Sequence, residues 1–528
     1  MITVASILCI LLALAGLPLF LVIGSSALLG YLGSGQSLEL FFASNFRPVS
    51  TNPVFLAIPL FTLAGYLMAE SRAPERMVRL SRAAVGWMPG GLAIVALIAC
   101  AGFTAFTGAS GVTIVALGGL LMPTLIKDGY PRKFSLGLLT TGGSRGLLFP
   151  PSLPLIIYAM VAGLAMEGVQ QMDADTDDDQ TAIEESAASQ PSSNAAQDEL
   201  DDELDDILAE EEGGNNPNGD EAELSDDELD AMLASMDEDG KKGVASGDKV
   251  AKRDVPVAAP RAPPAHISVD RLFVAGALPG TLAIMLVALY SIWFGVKRKV
   301  PRTTFRWGEL GRSFIGGLWE IPIPLIIIVG IYGGFFTAID GAAIVAAYVF
   351  IVEVLIYRDI RWRQLPRIFR ESMVLVGGIL LIMMSALALT NYFIDREVPQ
   401  RIFAMVKESI SSPITFLIVL NVFLLVVGTL MDIFSAILVV VPMITPIAMK
   451  YGIDPVHLGI IFLTNLEMGF STPPVGMNLF VGSLAFKRPV VELYRAAIPY
   501  LGLSFIALML ITYWPDLSLW LVRVTGVQ

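Results

Sequence analysis

The stretch PITFLIVLNVFLLVVGTLMDIFSAILVVVPMITPIA, residues 413–448, is predominantly apolar and is interrupted by GTLMD at 428–432 near its centre. As one helix it would run about 54 Å at about 1.5 Å per residue, against a hydrocarbon core of about 30 Å. That is awkward for a single crossing but enough for a chain that enters a bilayer and returns. A second run, 91–126, has the same length and a matching central interruption, TGASG at 107–111. Both are read as re-entrant helical hairpins with their tips near the midplane.

The rest of the chain fits a membrane solvent. Of 528 residues 54% are hydrophobic and 16% charged, and the mean hydropathy is +0.67. Soluble domains carry roughly 25% charged residues. Further apolar segments fall near 3–19, 20–33, 53–70, 133–166, 271–296, 320–338, 341–357, 371–392, 456–486 and 494–514. The start, Met1–Leu32, has neither a charged leader nor a small-residue cleavage site, so it is expected to stay embedded. Cys9 and Cys100 lie in apolar runs and make neither a disulfide framework nor a metal site.

Charge sorts the linkers. Arg72, Arg76, Arg79 and Arg82 share one set with Lys127–Lys133, Lys297–Arg312, Arg358–Arg370 and Lys487–Arg495; together these linkers hold 21 basic residues. The linkers at 34–52, 393–412 and 449–455, with the C-terminus, hold six. The positive-inside rule places the first set in the cytoplasm. Run 91–126 then has cytoplasmic loops at both ends and run 413–448 external loops at both ends, so the two hairpins enter from opposite faces.

Each hairpin is followed by a second interrupted segment. Residues 133–166 contain GGSRGLLFPPS at 142–152, and residues 456–486 contain EMGFSTPPVG at 467–476. Gly and Pro stop a helix and free its backbone groups, which survive in a bilayer only where protein or a cavity satisfies them. The pieces pair in order: Gly108 with Gly428, Pro131 with Pro455, Pro151 with Pro474, at offsets of 320, 324 and 323. The predicted fold is therefore an all-α integral membrane protein built as an inverted repeat, with two re-entrant hairpins and two unwound transmembrane helices. Broken helices that meet in this way mark the binding site of many secondary transporters.

The expected division is a first membrane repeat at 1–167, an acidic insert at 168–268, and a linking helix with the second repeat at 269–528. Between Gln171 and Val255 the chain carries 29 acidic against 5 basic residues, so the remainder is net +10 although the whole is −14. The insert cannot bury enough apolar surface to fold alone, and parity places it outside. Its two similar stretches, LDDILA at 204–209 and LDAMLA at 229–234, carry two readings: short amphipathic docking helices or, the favoured one, parts of a solvated charged linker.

Carbonyls and hydroxyls at hairpin tips and unwound segments suit a hard cation such as Na⁺, and free helix N-termini suit an anion. The candidate ion ligands are Gly108, Ser110, Gly142, Ser144 and Gly146 in the first repeat. In the second they are Gly428, Asp432, Gly469, Ser471 and Thr472. Arg145 is a charge in the middle of a broken membrane helix, where an ionisable group needs a cavity or a partner. Two readings stay open: a bidentate contact to a substrate carboxylate, or an internal ion pair with Asp340, Asp432 or Glu467. Asp340 is read as a helix cap, His457 as a helix-end residue, and Asn391, Asn421, Asn465 and Asn478 as interhelical hydrogen-bond residues. There is no GxxxxGK(S/T) loop, so ATP is not the direct energy source, and no catalytic constellation appears.

Three stretches, GGFFTAIDGAA at 333–343, GIDPVHLGII at 452–461 and NLEMGFSTPPVGMNLFV at 465–481, resemble the large membrane subunit of tripartite ATP-independent periplasmic (TRAP) transporters, the C4-dicarboxylate DctM type. In the first repeat, TGASG at 107–111 and GLLFPPS at 146–152 carry the same resemblance, which spans both halves and leaves out the insert. It implies an elevator-type, Na⁺-driven importer of small organic anions in the bacterial inner membrane. Its implied partners are a smaller four-helix membrane subunit and a periplasmic solute-binding protein; no nucleic acid is expected. It also implies that the tips and the ProPro segments form the Na⁺ and substrate sites; the substrate candidates there are Ser144, Ser110, Thr472 and Pro473, joined by Arg145 on the carboxylate reading of its own chemistry. The chain departs from the family at Arg145, where a small or apolar residue is usual, and at Asp340, where Glu is. A passive channel, a non-transporting sensor and a self-sufficient symporter are the competing classes.

Overall fold

Uninterrupted apolar sequence folds as helix because each backbone polar group is then satisfied within its own segment. The computed structural model describes residues 19–34, 42, 53–166, 267–301, 304–332, 335–396, 398–410 and 412–526. They belong to one unit, Met1–Met172 with His266–Gln528. Nearly all of the expected span at 3–19, and the acidic insert apart from its last two residues, lie outside the described residues.

The first half runs α1 (Leu19–Gly33), α2 (Ala57–Glu70), α3 (Ala73–Val85), α4 (Gly91–Thr107), α5 (Ser110–Lys127), α6 (Arg132–Gly142) and α7 (Leu153–Met166). Then come α8 (Val269–Lys297), α9 (Trp307–Gly316), α10 (Pro322–Tyr332) and α11 (Ala338–Phe350), which continues as a π-helical turn over Ile351–Ile356. The second half runs α12 (Leu365–Asp395), α13 (Val398–Ser409), α14 (Pro413–Leu430), α15 (Ile433–Lys450), α16 (Pro455–Gly469), α17 (Met477–Phe486), α18 (Val490–Tyr513) and α19 (Asp516–Thr525). No strand occurs among the described residues. Seven of the described helices are long and apolar enough to cross a membrane: α5, α8, α11 with its π turn, α12, α14, α15 and α18.

Both long runs are broken where the sequence places the break, but by different means. In the first, Gly108 takes the left-handed conformation at φ 64° and its N–H closes on the Thr104 carbonyl at 2.8 Å. In the second, Gly428 lies inside α14; the break falls at Met431–Asp432, and Asp432 caps α15. Each arm is 17 or 18 residues, about 27 Å when upright, and so nearly matches the hydrocarbon core by itself.

Three segments differ from the reading by hydropathy. Run 320–338 yields α10, whose 11 residues span only about 16 Å, too short for a crossing. The basic linkers at 71–90 and 297–319 are not merely loops: they contain the amphipathic helices α3 and α9. Charge on one helical face masked an apolar face that hydropathy averaging removes.

One large core joins α2, α7, α8, α11, α12, α14, α15 and α16, and a second joins α4, α5, α6, α8 and α18. The broken helices cross: Tyr158 of α7 donates its hydroxyl to the Pro455 carbonyl at the start of α16 (2.9 Å) and its ring stands 6.0 Å from that of Phe462. At the start of α3, Arg76 is a knot. Its guanidinium meets Glu353 at 2.8 Å, Asp359 at 2.6 Å and Glu320, and lies 3.9 Å from the Tyr357 ring centroid.

Candidate functional site

Helix α6 stops at Gly142, and residues 143–149 continue as tight turns until α7 begins at Leu153. Glycine allows neighbours to come close here. A Cβ on Gly146 would stand 2.1 Å from the Ala101 carbonyl oxygen of α4, and one on Gly143 would stand 2.5 Å from Ile114. Thr104 of α4 donates to the Gly143 carbonyl at 2.7 Å and lies 2.6 Å from the Thr113 hydroxyl of α5. The first tip is thereby fastened to the first unwound segment.

The second unwound segment follows Gly469. Phe470–Gly476 folds back on itself, the Asn478 N–H reaching the Phe470 carbonyl at 3.0 Å, with Gly476 at φ 49°. The Pro150–Pro151 and Pro473–Pro474 bonds are both cis. Gly469 sits on the second tip: a Cβ there would be 2.6 Å from the Gly428 carbonyl carbon.

Besides the Tyr158–Pro455 bond, side-chain contacts join the repeats at the tips and breaks themselves. Ser110, at the first tip, donates to Asn478 Oδ1 at 2.7 Å, just beyond the second unwound segment. Arg145 Nη1 lies 2.8 Å from Glu467 Oε1, near enough for an ion pair although their alignment makes no hydrogen bond there; Nη2 donates to Ser504 at 2.5 Å. Both charged side chains are 4% exposed. Of the partners the sequence left open for Arg145, the structure takes Glu467 and neither Asp340 nor Asp432. Asp340 instead closes a capping box with Thr337 at the start of α11.

The expected site residues thus fall into connected groups. Gly108, Ser110, Gly142, Ser144 and Gly146 gather at the first tip and break; Gly428, Asp432, Gly469, Ser471 and Thr472 lie at the second. Pro473 is exposed, whereas Ser144 and Ser471 are buried. Asp432 Oδ1 accepts from the Phe434 and Ser435 N–H groups, both at 3.0 Å, and Oδ2 from the Ser435 hydroxyl. Its carboxylate works as an N-cap, a role worth about 1 kcal/mol. Asp432→Asn should therefore keep the helix while Asp432→Ala loses about 1 kcal/mol in thermal unfolding. Asparagine that also abolishes Na⁺ stimulation of uptake would add a ligand role to the cap.

Several buried polar atoms here have no protein partner: Thr107 Oγ1, Ser471 Oγ, Asn478 Nδ2 and Thr140 Oγ1. Buried polar groups are ordinarily satisfied, and these belong to the two tips and breaks or to helices packed on them. Thr140 and Ser504 escaped the sequence reading because a hydroxyl within an apolar helix carries no local mark; Thr107 opens the TGASG interruption but is not among the candidate ligands. Asn478 was expected to bond between helices, and it does. His457 is buried at the start of α16, 3.2 Å from the Ser518 hydroxyl. No cluster of three or more His, Cys, Asp or Glu suited to a metal ion occurs among the described residues.

The profile of the family described as "Tripartite ATP-independent periplasmic transporter, DctM component" matches residues 2–171 and 258–517, which flank most of the acidic insert. The C4-dicarboxylate TRAP transporter large permease protein DctM of Vibrio cholerae is 29% identical over 96% of this chain and 94% of its own. Its counterpart in Pseudomonas aeruginosa is 30% identical over 91% and 88%. The ectoine TRAP transporter large permease protein TeaC of Halomonas elongata is 23% identical over 97% and 96%. Among solved structures, the Alcanivorax borkumensis YdaH transporter, described as having an unusual topology, superposes with a TM-score of 0.54 at 14% identity, covering 97% of this chain and 98% of that one. That likeness is one of fold. With the matched profile spanning both repeats, the chain belongs to the DctM family of tripartite ATP-independent periplasmic transporters and is a multi-pass large permease subunit, not an enzyme.

Proposed function

We propose that the protein imports small organic anions across the bacterial inner membrane, driven by a Na⁺ gradient. A periplasmic binding protein feeds it and a small four-helix membrane subunit accompanies it. One observation carries this reading: two hairpin tips and two unwound segments are tied together around buried hydroxyl and amide groups that lack protein partners. Na⁺ is held by main-chain carbonyls and hydroxyls of Gly108, Ser110, Gly142, Ser144 and Gly146, and in the second repeat by those of Gly428, Asp432, Gly469, Ser471 and Thr472. Oxygen donors of this kind replace the water of a hard cation. The anion sits between Ser110 and Thr472, opposite the freed N–H groups of the interrupted helices. The tips re-enter on tilted arms, and the core carrying both sites shifts as a body through a frame of the remaining helices.

Relatives named for C4-dicarboxylates support a carboxylate substrate, and one named for ectoine supports a family able to vary its cargo. The test is reconstitution of the full chain with its small subunit in liposomes, with candidate binding proteins outside. Uptake of a carboxylate solute should appear only with an inward Na⁺ gradient and a loaded binding protein. Uptake that ignores the gradient would reject coupling and favour a channel; uptake without any binding protein would favour a self-sufficient symporter.

A further inference from the structure

Helices α3 and α9 pack against each other and line a cavity of about 570 Å³ that includes none of the tip and break residues. Four guanidinium groups, Arg79, Arg82, Arg306 and Arg312, line it against a single carboxylate, Glu309. Arg79 and Arg312 form no ion pair among the described residues. The other two make long, exposed ones: Arg82 to Asp128 at 3.7 Å and Arg306 to Glu309 at 3.6 Å. Such pairs are worth little and exchange readily. With Glu309 and Asp128 set against the four guanidinium groups, the fold concentrates a net positive charge of two at a concave site.

The cavity also lies at a defined depth. Its walls follow the ends of two apolar helices, α2 at Glu70 and α8 at Lys297, whose flanking arginines and lysines assign them to the cytoplasmic side by the positive-inside rule. Aromatic rings of the kind that settle at headgroup level surround it. Trp87 and Phe305 line it with ring centroids 6.3 Å apart, and Phe305 meets Trp307 edge-on at 5.0 Å. Trp293, one turn before the end of α8, is 53% exposed and carries Lys297 over its ring. No residue of α9 is fully buried, and Trp307, Phe314 and Ile315 are exposed. A helix of this pattern lies in the plane of the interface.

We propose that this cavity binds the phosphodiester headgroup of an anionic phospholipid from the cytoplasmic leaflet. Arginine forks match phosphate oxygens in pairs. The lipid's acyl chains continue along the exposed apolar surface of α8, where Met285, Leu289 and Trp293 face outward. Basic pockets between membrane helices on this side are suited to such lipids.

The test compares the full chain with Arg79→Gln/Arg312→Gln, and with Arg361→Gln/Arg363→Gln as a control on exposed arginines outside the cavity. Native mass spectrometry counts phosphatidylglycerol, cardiolipin and phosphatidylcholine retained by each. The wild type and the control should keep anionic lipid selectively, and the cavity variant should bind it about thirtyfold more weakly. Millimolar inorganic phosphate should fail to displace the lipid, which separates a headgroup site from a free-phosphate site. Thermal unfolding adds a measure needing no variant: the wild type should melt higher in phosphatidylglycerol nanodiscs than in phosphatidylcholine. Equal lipid retention by all three proteins, equal weakening in the control, displacement by phosphate, or no rise in melting temperature would each overturn the proposal.

Discussion

Replacing Arg145 by leucine should destabilise the protein by about 3–5 kcal/mol, because it strands a buried carboxylate. Glu467 and Arg145 are each 4% exposed, and the guanidinium is held on its other side by Ser504. Neither half tolerates solitude in a medium that cannot solvate it. Glu467→Leu should therefore cost a similar amount, while the double variant Arg145→Leu/Glu467→Leu should recover most of the loss, since an apolar pair of similar size is often neutral or better. Thermal unfolding in detergent, run as a double-mutant cycle, checks this. The same cycle read by uptake separates the two roles open for Arg145. If the double variant folds and still transports carboxylates, the arginine is a structural tie between the repeats; if it folds but no longer takes up a carboxylate, the guanidinium also serves the cargo.

Gly469→Ala should reduce uptake to background. The added Cβ would stand 2.6 Å from the carbonyl carbon and 2.7 Å from the Cα of Gly428, and neither is a side chain that can swing away. Helices α14 and α16 must part, at about 1–3 kcal/mol, and the second tip leaves the break it rests on. Gly502→Ala is the matched control. That glycine lies in α18 with nothing within 4 Å of the new methyl, so uptake and stability should hold or improve slightly. Uptake by Gly469→Ala at the wild-type rate would remove the close approach of tip and break from the mechanism.

Much of this architecture was legible because its signals are local. Gly108 and Asp432 stand at the helix interruptions, and the GGSRG and STPP segments unwind where glycine and proline cease to support a helix. The capping role of Asp340 is equally local, three residues from Thr337. The partners were not legible. Ser110 meets Asn478 across 368 positions and Arg145 meets Ser504 across 359, and no periodicity in one sequence couples such distant positions. Arg145 shows the limit most plainly. Its need for a partner follows from its surroundings alone, but the choice among Asp340, Asp432 and Glu467 depends on how α6 and α16 lie in space. The amphipathic helices α3 and α9 were lost for another reason: their basic residues say where they sit relative to the membrane and hide that they are helices at all.

The unlike hinges of the two halves have a consequence for how paired mutations in them should be read experimentally. One corner is turned by a residue without a side chain in a mirror-image twist; the other by an acid that seizes the amides of the next helix. A methyl introduced at residue 108 meets a strained left-handed backbone and Leu153 at 2.9 Å, whereas its counterpart at residue 428 keeps an ordinary helical backbone and approaches Leu466 at 3.1 Å. Matched lesions in the twin halves are therefore not equivalent perturbations. Unequal phenotypes from them would report divergent carpentry at the corners before they reported any division of labour between inward and outward steps.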